Sequence, residues 1–283
     1  MKKLLIITSI ALMWISCTSD NEPQSTDKMY FPSTTDTIWE RISPAKLGWN
    51  TDKIAALNTY LAQKHSKSFM ILVNGRIVME DYYNGHTSTD SWQWNSAGKT
   101  LVASTTGIAE QEGYLNINAK VSNYIGWGWT TETLAKEGLI TVRHLLTMTS
   151  GLNDSSNLVI RPNLTYMADA GTRWSYANVF QKLTDVVAET TGQPFEDYFN
   201  SRLKNKIGMD GFWNFGPIFT IYHSFTRSMA RFGLLALNNG KWNGNQIVNS
   251  DFFFFFFISS QTINPSYGYL CWLIGNSSFV IPV

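Results

Sequence analysis

Ser96 and Lys99 stand three residues apart at the head of a small, apolar run, Leu101 to Ala109. A serine hydroxyl is a weak nucleophile and needs a neighbouring base. On a helix, positions i and i+3 share a face, so Lys99 can lie beside Ser96. A lysine shielded from water can accept the serine proton. The start of a helix also offers free backbone N–H groups and the positive end of the helix dipole. Both favour an anionic tetrahedral intermediate. The chemistry these residues suggest is acyl transfer, provided that a helix begins at Ser96.

The spacing alone decides nothing, because it occurs four times: Ser25/Lys28, Ser43/Lys46, Ser96/Lys99 and Ser201/Lys204. Ser25 lies in a polar stretch that reads as linker. Ser43 precedes Pro44 and reads as a helix N-cap with proline at the first helical position. Ser201 falls where Phe195, Tyr198, Phe199 and Leu203 form the buried stripe, so it reads as solvent-facing. Only Ser96 opens a helix whose next turns are small and apolar. On local context alone, a plain capping role for Ser96 with a surface Lys99 stays equally open.

A second cluster is Trp174-Ser175-Tyr176-Ala177-Asn178. A phenol can pass a proton between nucleophile and leaving group, and an amide can hold a substrate carbonyl. Tyr-x-Asn also occurs at Tyr82, Tyr114 and Tyr198. Tyr176 alone falls in a loop just before a helix, where functional groups are easily displayed.

These residues need elements to hold them. Leu47 to Lys64 is expected to be an amphipathic helix with Ile54, Leu57 and Leu61 on one stripe. Phe69 to Val73, Asn74-Gly75 and Ile77 to Met79 spell a β-hairpin. Further helices are expected over Ser96 to Gln111, Val142 to Thr149, Val179 to Thr191 and Arg227 to Leu237. Tyr267 to Ile274 fits a late strand. The fold class is then α+β, with an antiparallel sheet built from both chain ends and a helical subdomain.

With 283 residues, 44% hydrophobic and 14% aromatic, the chain can bury one large core. A net charge of +1 gives no nucleic-acid footprint. Lys2 and Lys3 before the apolar Leu4 to Ile15 make a signal peptide, too short for a comfortable membrane span. Trp14-Ile15-Ser16-Cys17 resembles a bacterial lipoprotein cleavage site. Cys17 is then the lipidated mature N-terminus, residues 18–40 a polar tether and residues 41–283 the domain. Plain secretion with an incidental cysteine is the alternative. The expected address is the cell envelope, facing the periplasm or the cell surface. Cys271 is left without a disulfide partner and reads as a small core residue. The four histidines lie far apart without metal-ligand spacing, so no metal or other cofactor is expected. Trp127-Gly128-Trp129 is open to two readings, a pocket lining or a loop packed onto the core.

The order of the blocks is more specific than any one of them. Ser96-Ala-Gly-Lys99 is followed by Gly107 to Gly113, then Ile140-Thr-Val-Arg-His-Leu-Leu-Thr-Met-Thr-Ser-Gly-Leu152. Trp174 to Asn178, Leu203 to Met209 and Ser228 to Leu235 come next. The series, over Ser43 to Ile274, resembles the β-lactamase-related serine hydrolases. That family includes class C β-lactamases, penicillin-binding-protein-like carboxypeptidases, esterases and 6-aminohexanoate-oligomer hydrolases. The resemblance implies a β-lactamase/transpeptidase-like fold, with Ser96 the acylated nucleophile, Lys99 its base partner and Tyr176 the proton relay. It makes Asn178 a substrate-binding residue and puts His144 on a supporting helix. The implied partner is a small amide or ester, and the implied state a monomer.

Two departures stand out. The family's third motif, K-T-G or a variant keeping its glycine, is not found here, so the chain is expected to stop short of the final strands. Phe252 to Phe257 are six consecutive phenylalanines without helical or strand periodicity. They read either as a reading-frame artefact or as a buried aromatic helix. The alternative function is a catalytically impaired homologue that binds cell-envelope peptides, or a non-functional fragment.

Overall fold

The computed structural model describes residues 28–216 and 218–273. The signal segment with Cys17, the tether as far as residue 27, and Ile274 lie outside the described residues. Ten α-helical segments are described: α1 (Ile54–Gln63), α2 (Lys99–Gln111), α3 (Ser122–Ile125), α4 (Leu134–Glu137), α5 (Val142–Leu146), α6 (Lys182–Thr191), α7 (Phe195–Phe199), α8 (Asn205–Ile207), α9 (Thr226–Leu237) and α10 (Ser250–Phe254). The strands are β1 (Ser68–Val73), β2 (Arg76–Tyr82), β3 (Trp92–Gln93), β4 (Phe212–Phe215), β5 (Thr220–Ser224), β6 (Lys241–Trp242) and β7 (Asn245–Gln246). They form two two-stranded ladders, β1–β2 and β6–β7, and a three-stranded sheet in the order β3-β5-β4. All these pairings are antiparallel, so the class is α+β, as expected.

The β1–β2 hairpin turns at Asn74 and Gly75, with φ of 47° and 81°. Two successive positive φ values are what a tight hairpin turn needs, and Asn-Gly adopts them at low cost. Gly75 is also required by space: a Cβ there would sit 1.8 Å from Tyr30 O.

Helix α2 runs through the middle of the core. Leu101, Val102, Ala103, Ile108 and Ala109 are buried, and so are Ser104, Thr105 and Thr106. The three hydroxyls donate to the carbonyls four residues earlier, at 2.8, 2.7 and 2.9 Å. A buried hydroxyl without a partner would cost about 1–3 kcal/mol, and this back-bonding removes that cost inside the helix. Helices α6 and α10 pack against α2. The oligo-phenylalanine run is helical as far as Phe254, the end of α10. Phe252, Phe253 and Phe256 are buried, whereas Phe254 and Phe257 are more than half exposed.

Two elements differ from expectation. The helix expected from Leu47 starts only at Ile54. Gly48, at φ +70°, ends a 3-10 turn over Pro44–Leu47, and Asn50 caps a second one over Thr51–Lys53. Ser43 caps the first of these turns through its hydroxyl, as expected. The late strand does not form among the described residues. Leu270 takes a φ of 52°, which reverses the chain, and Gly268 N–H donates to Cys271 O at 2.8 Å. Tyr267 and Trp272 then face each other as one isolated bridge. Tyr269 N–H and Leu270 N–H donate to Phe255 O and Leu146 O. The segment thus packs onto α5 and the phenylalanine run, and among the described residues no third strand joins the β1–β2 ladder.

Candidate active site

Ser96 lies in a 3-10 turn, Asn95–Gly98, that leads directly into α2. In a 3-10 turn side chains at i and i+3 eclipse each other, which is closer alignment than an α-helix gives. Lys99 Nζ accordingly donates to Ser96 Oγ at 3.0 Å. Ser96 is exposed and Lys99 is 9% exposed, so the hydroxyl is reachable while the amine is enclosed. The residue before the serine, Asn95, has a φ of 47°. This left-handed step turns the chain out of β3 and into the helical segment. Trp94 anchors the step: its N–H donates to Tyr222 O and its indole to Ser224 Oγ, both at 2.8 Å. The turn that carries Ser96 is thereby tied to β5.

Tyr176 is brought to the same place. Its ring centroid lies 4.8 Å from Lys99 Nζ, and the Phe180 ring lies at the same distance. The two rings flank the amine and hold it in position. The loop that carries Tyr176 is fixed by Asp154, which accepts two hydrogen bonds from Arg173, at 2.9 and 2.8 Å, and one from Ser175 Oγ. Burial pushes the Asp154 carboxyl up, but the bonds from Ser175 and Arg173 outweigh it and hold it below the usual carboxylate range. Behind Tyr176 stand Trp174, Tyr267 and Trp272, at centroid distances of 6.4, 6.1 and 5.4 Å. Burial, with a smaller contribution from Tyr176, raises the Tyr267 phenol well above its ordinary range and keeps it neutral.

A cavity of about 390 Å³ opens in front of the pair, lined also by Asn157, Tyr176, Asn178, Phe180, Gln181 and Phe219. Ser96, Lys99, Tyr176 and Asn178, which the sequence singled out, therefore converge on one site. Asn178 does so mainly as a brace. Its Nδ2 donates to Asn157 O at 3.1 Å and to Ile218 O at 3.4 Å, tying together two loops that wall the cavity. Gln181, Phe219 and Asn157 were not anticipated. Gln181 shares a 3-10 turn, Asn178–Gln181, with Asn178, and no local signal in the sequence marked it.

His144 does not line this cavity. It sits on α5 and completes a capping box: Thr141 N–H donates to His144 Nδ1 at 3.1 Å, and His144 N–H to Thr141 Oγ1 at 3.3 Å. Burial lowers its pKa, which suits a ring nitrogen that must accept. Trp127 and Trp129 also lie outside the cavity lining, and Trp129 is buried with its indole donating to Ser122 Oγ.

Fold and site can now be set beside known proteins. The Beta-lactamase family model matches residues 57–249, more than half of the chain, and the chain belongs to that family. An uncharacterized protein of Alkalihalophilus pseudofirmus is 26% identical over 247 residues, covering 73% of this chain and 70% of that protein. A penicillin binding protein from Bacillus halodurans shares the fold with a TM-score of 0.61 at 13% identity, over 76% of this chain and 82% of its own. D-amino acid amidase from Ochrobactrum anthropi, solved with L-phenylalanine amide, does so with a TM-score of 0.59 at 15% identity, over 77% and 80%. The fold is thus β-lactamase/transpeptidase-like.

Proposed function

We propose that the protein hydrolyses amide or ester bonds through an acyl-enzyme on Ser96. The observation that carries this reading is the 3.0 Å contact between Lys99 Nζ and Ser96 Oγ on the wall of an open cavity. Ser96 Oγ attacks the substrate carbonyl, and its proton passes to Lys99 Nζ. The phenol of Tyr176 carries a proton on to the leaving nitrogen or oxygen as the carbon–heteroatom bond breaks. Water then cleaves the acyl ester by the reverse proton path. In this reading the N–H of Ser96, in the first turn of its helical segment, serves as a donor to the developing oxyanion. Asn178 keeps the cavity walls in place and presents the edge of its amide to the substrate. The amidase activity named for the structural neighbour supports amides as the first substrates to try.

The test is covalent labelling with a fluorophosphonate and with a fluorescent penicillin. Labelling that disappears in Ser96→Ala supports the reading. Absence of labelling in a folded protein would favour the alternative, an impaired homologue that binds envelope peptides. The proposal also includes a lipid anchor on Cys17 that faces the domain to the periplasm or cell surface. Incorporation of a labelled fatty acid that survives Cys17→Ala would rule that anchor out.

A further inference from the structure

Gln181 grips the backbone on both sides of Phe219. Its Oε1 accepts from Thr220 N–H at 2.8 Å, and its Nε2 donates to Ile218 O at 2.9 Å. One side-chain amide thus imitates the two hydrogen bonds that a neighbouring strand would make to this segment. Asn178 Nδ2 reaches the same Ile218 carbonyl at 3.4 Å, and Gly216 N–H donates to Phe219 O at 2.9 Å. The backbone around Phe219 is therefore held at several points, yet its ring stays 49% exposed and lines the Ser96 cavity.

An apolar ring fixed at the mouth of a cavity leaves water-facing area that a ligand can cover. The rest of the lining agrees. Val102, Phe180 and Ile221 are apolar, and Asn157, Asn178 and Gln181 are neutral amides. The described lining holds no Asp, Glu, Arg or His, and the Nζ of its lysine, Lys99, is engaged by Ser96. A neutral group with an apolar extension fits such a chamber, and a charged extension finds no ion partner within it.

We propose that Phe219, set in place by the Gln181 amide, is the specificity-determining wall of the cavity and selects neutral amides or esters with an apolar chain beside the scissile bond. The inference deepens the hydrolase reading of the same cavity and rests on it for the word substrate. Gln181 acts through Phe219 and is a positioning residue.

The experiment uses the full chain carrying Ser96→Ala, so that binding is read without turnover. Acetanilide and hexananilide, two neutral amides that differ by four methylenes, are titrated by ligand-observed NMR. Each methylene taken fully from water tightens binding about fourfold, and an open cavity recovers only part of that, so hexananilide should bind at least about tenfold tighter. Adding Phe219→Ala should collapse the preference to within about twofold, and adding Phe219→Leu, which keeps an apolar side chain there, should restore most of it. Gln181→Met, similar in size but unable to make either bond, should lower the preference without changing the far-UV spectrum. Equal affinities in the Ser96→Ala protein, or a preference that survives Phe219→Ala, would overturn the proposal. Failure of the hydrolase reading shows separately, as an intact Ser96 protein that binds hexananilide preferentially but takes no fluorophosphonate label.

Discussion

Lys99 Nζ meets Ser96 Oγ at 3.0 Å across the junction between a 3-10 turn and an α-helix. The tighter turn eclipses the two side chains, and the α-helix that follows carries Lys99 into the core. Accessibility of the hydroxyl and enclosure of the amine come from this one change of helix type.

Removing the amine tests that arrangement. Lys99→Met keeps the length and apolar contacts of the side chain between Tyr176 and Phe180 but cannot accept a proton. The rate of Ser96 phosphonylation should fall about 10²–10⁴-fold, the usual contribution of a positioned base. The thermal melt should change little, because an apolar side chain replaces a buried polar one. A variant that labels at the parental rate would remove Lys99 from the chemistry.

His144 should behave in the opposite way. Its two hydrogen bonds with Thr141 close the start of α5, and helix caps contribute about 0.5–2 kcal/mol. His144→Ala should lower stability by about 1 kcal/mol in urea titrations and leave Ser96 labelling of the folded protein unchanged. Loss of labelling at unchanged stability would point instead to a serine–histidine mechanism.

Local chemistry made part of this molecule legible from its residues. Asn74-Gly75 announced its turn, Gly192 ended α6 in the left-handed conformation, and Ser43-Pro44 announced a capped turn. The order of short blocks identified Ser96, Lys99, Tyr176 and Asn178, which converge on one cavity. Long-range features left no such trace. The Gln181 clamp spans 37 and 39 residues to Ile218 and Thr220, and a lone glutamine reads as ordinary surface. The reversal at Leu270 has no turn residue to signal it, since a leucine rarely takes positive φ. In the phenylalanine run every position is equally apolar, so only tertiary contacts decide that Phe252, Phe253 and Phe256 go inside.

Phe252 reaches the helix that carries Lys99 through a glycine. A Cβ on Gly107 would sit 2.4 Å from Phe252 Cδ1 and 2.8 Å from its Cγ. The ring cannot easily retreat, because Tyr269 and Phe256 pack against it at 5.3 and 6.1 Å. Gly107→Ala would ordinarily stabilise a helix by about 0.5–1 kcal/mol, but overpacking of this size costs about 1–3 kcal/mol. The net expectation is a less stable protein by urea titration. Combining it with Phe252→Ala should restore part of the loss, since the methyl and the ring compete for one space. Simple additivity of the two changes would show that they do not.

A last prediction concerns pH. Glu132 is half-buried, and its Oε1 makes no hydrogen bond. Burial, followed by the nearby Glu137 carboxylate, raises its pKa from 4.5 to about 7, against the opposing pull of Lys136. Between those values the folded protein keeps a proton that the unfolded chain has released. The contribution of Glu132 to stability must therefore fall as pH rises from 4.5 to about 7, and stay level above that. Glu132→Gln removes the titration and keeps the shape. The melting temperature of the variant should draw ahead of the parent across that window, with no further divergence at higher pH. Parallel curves, or a parent that gains on the variant as pH rises, would show that this carboxyl is not held protonated by the fold.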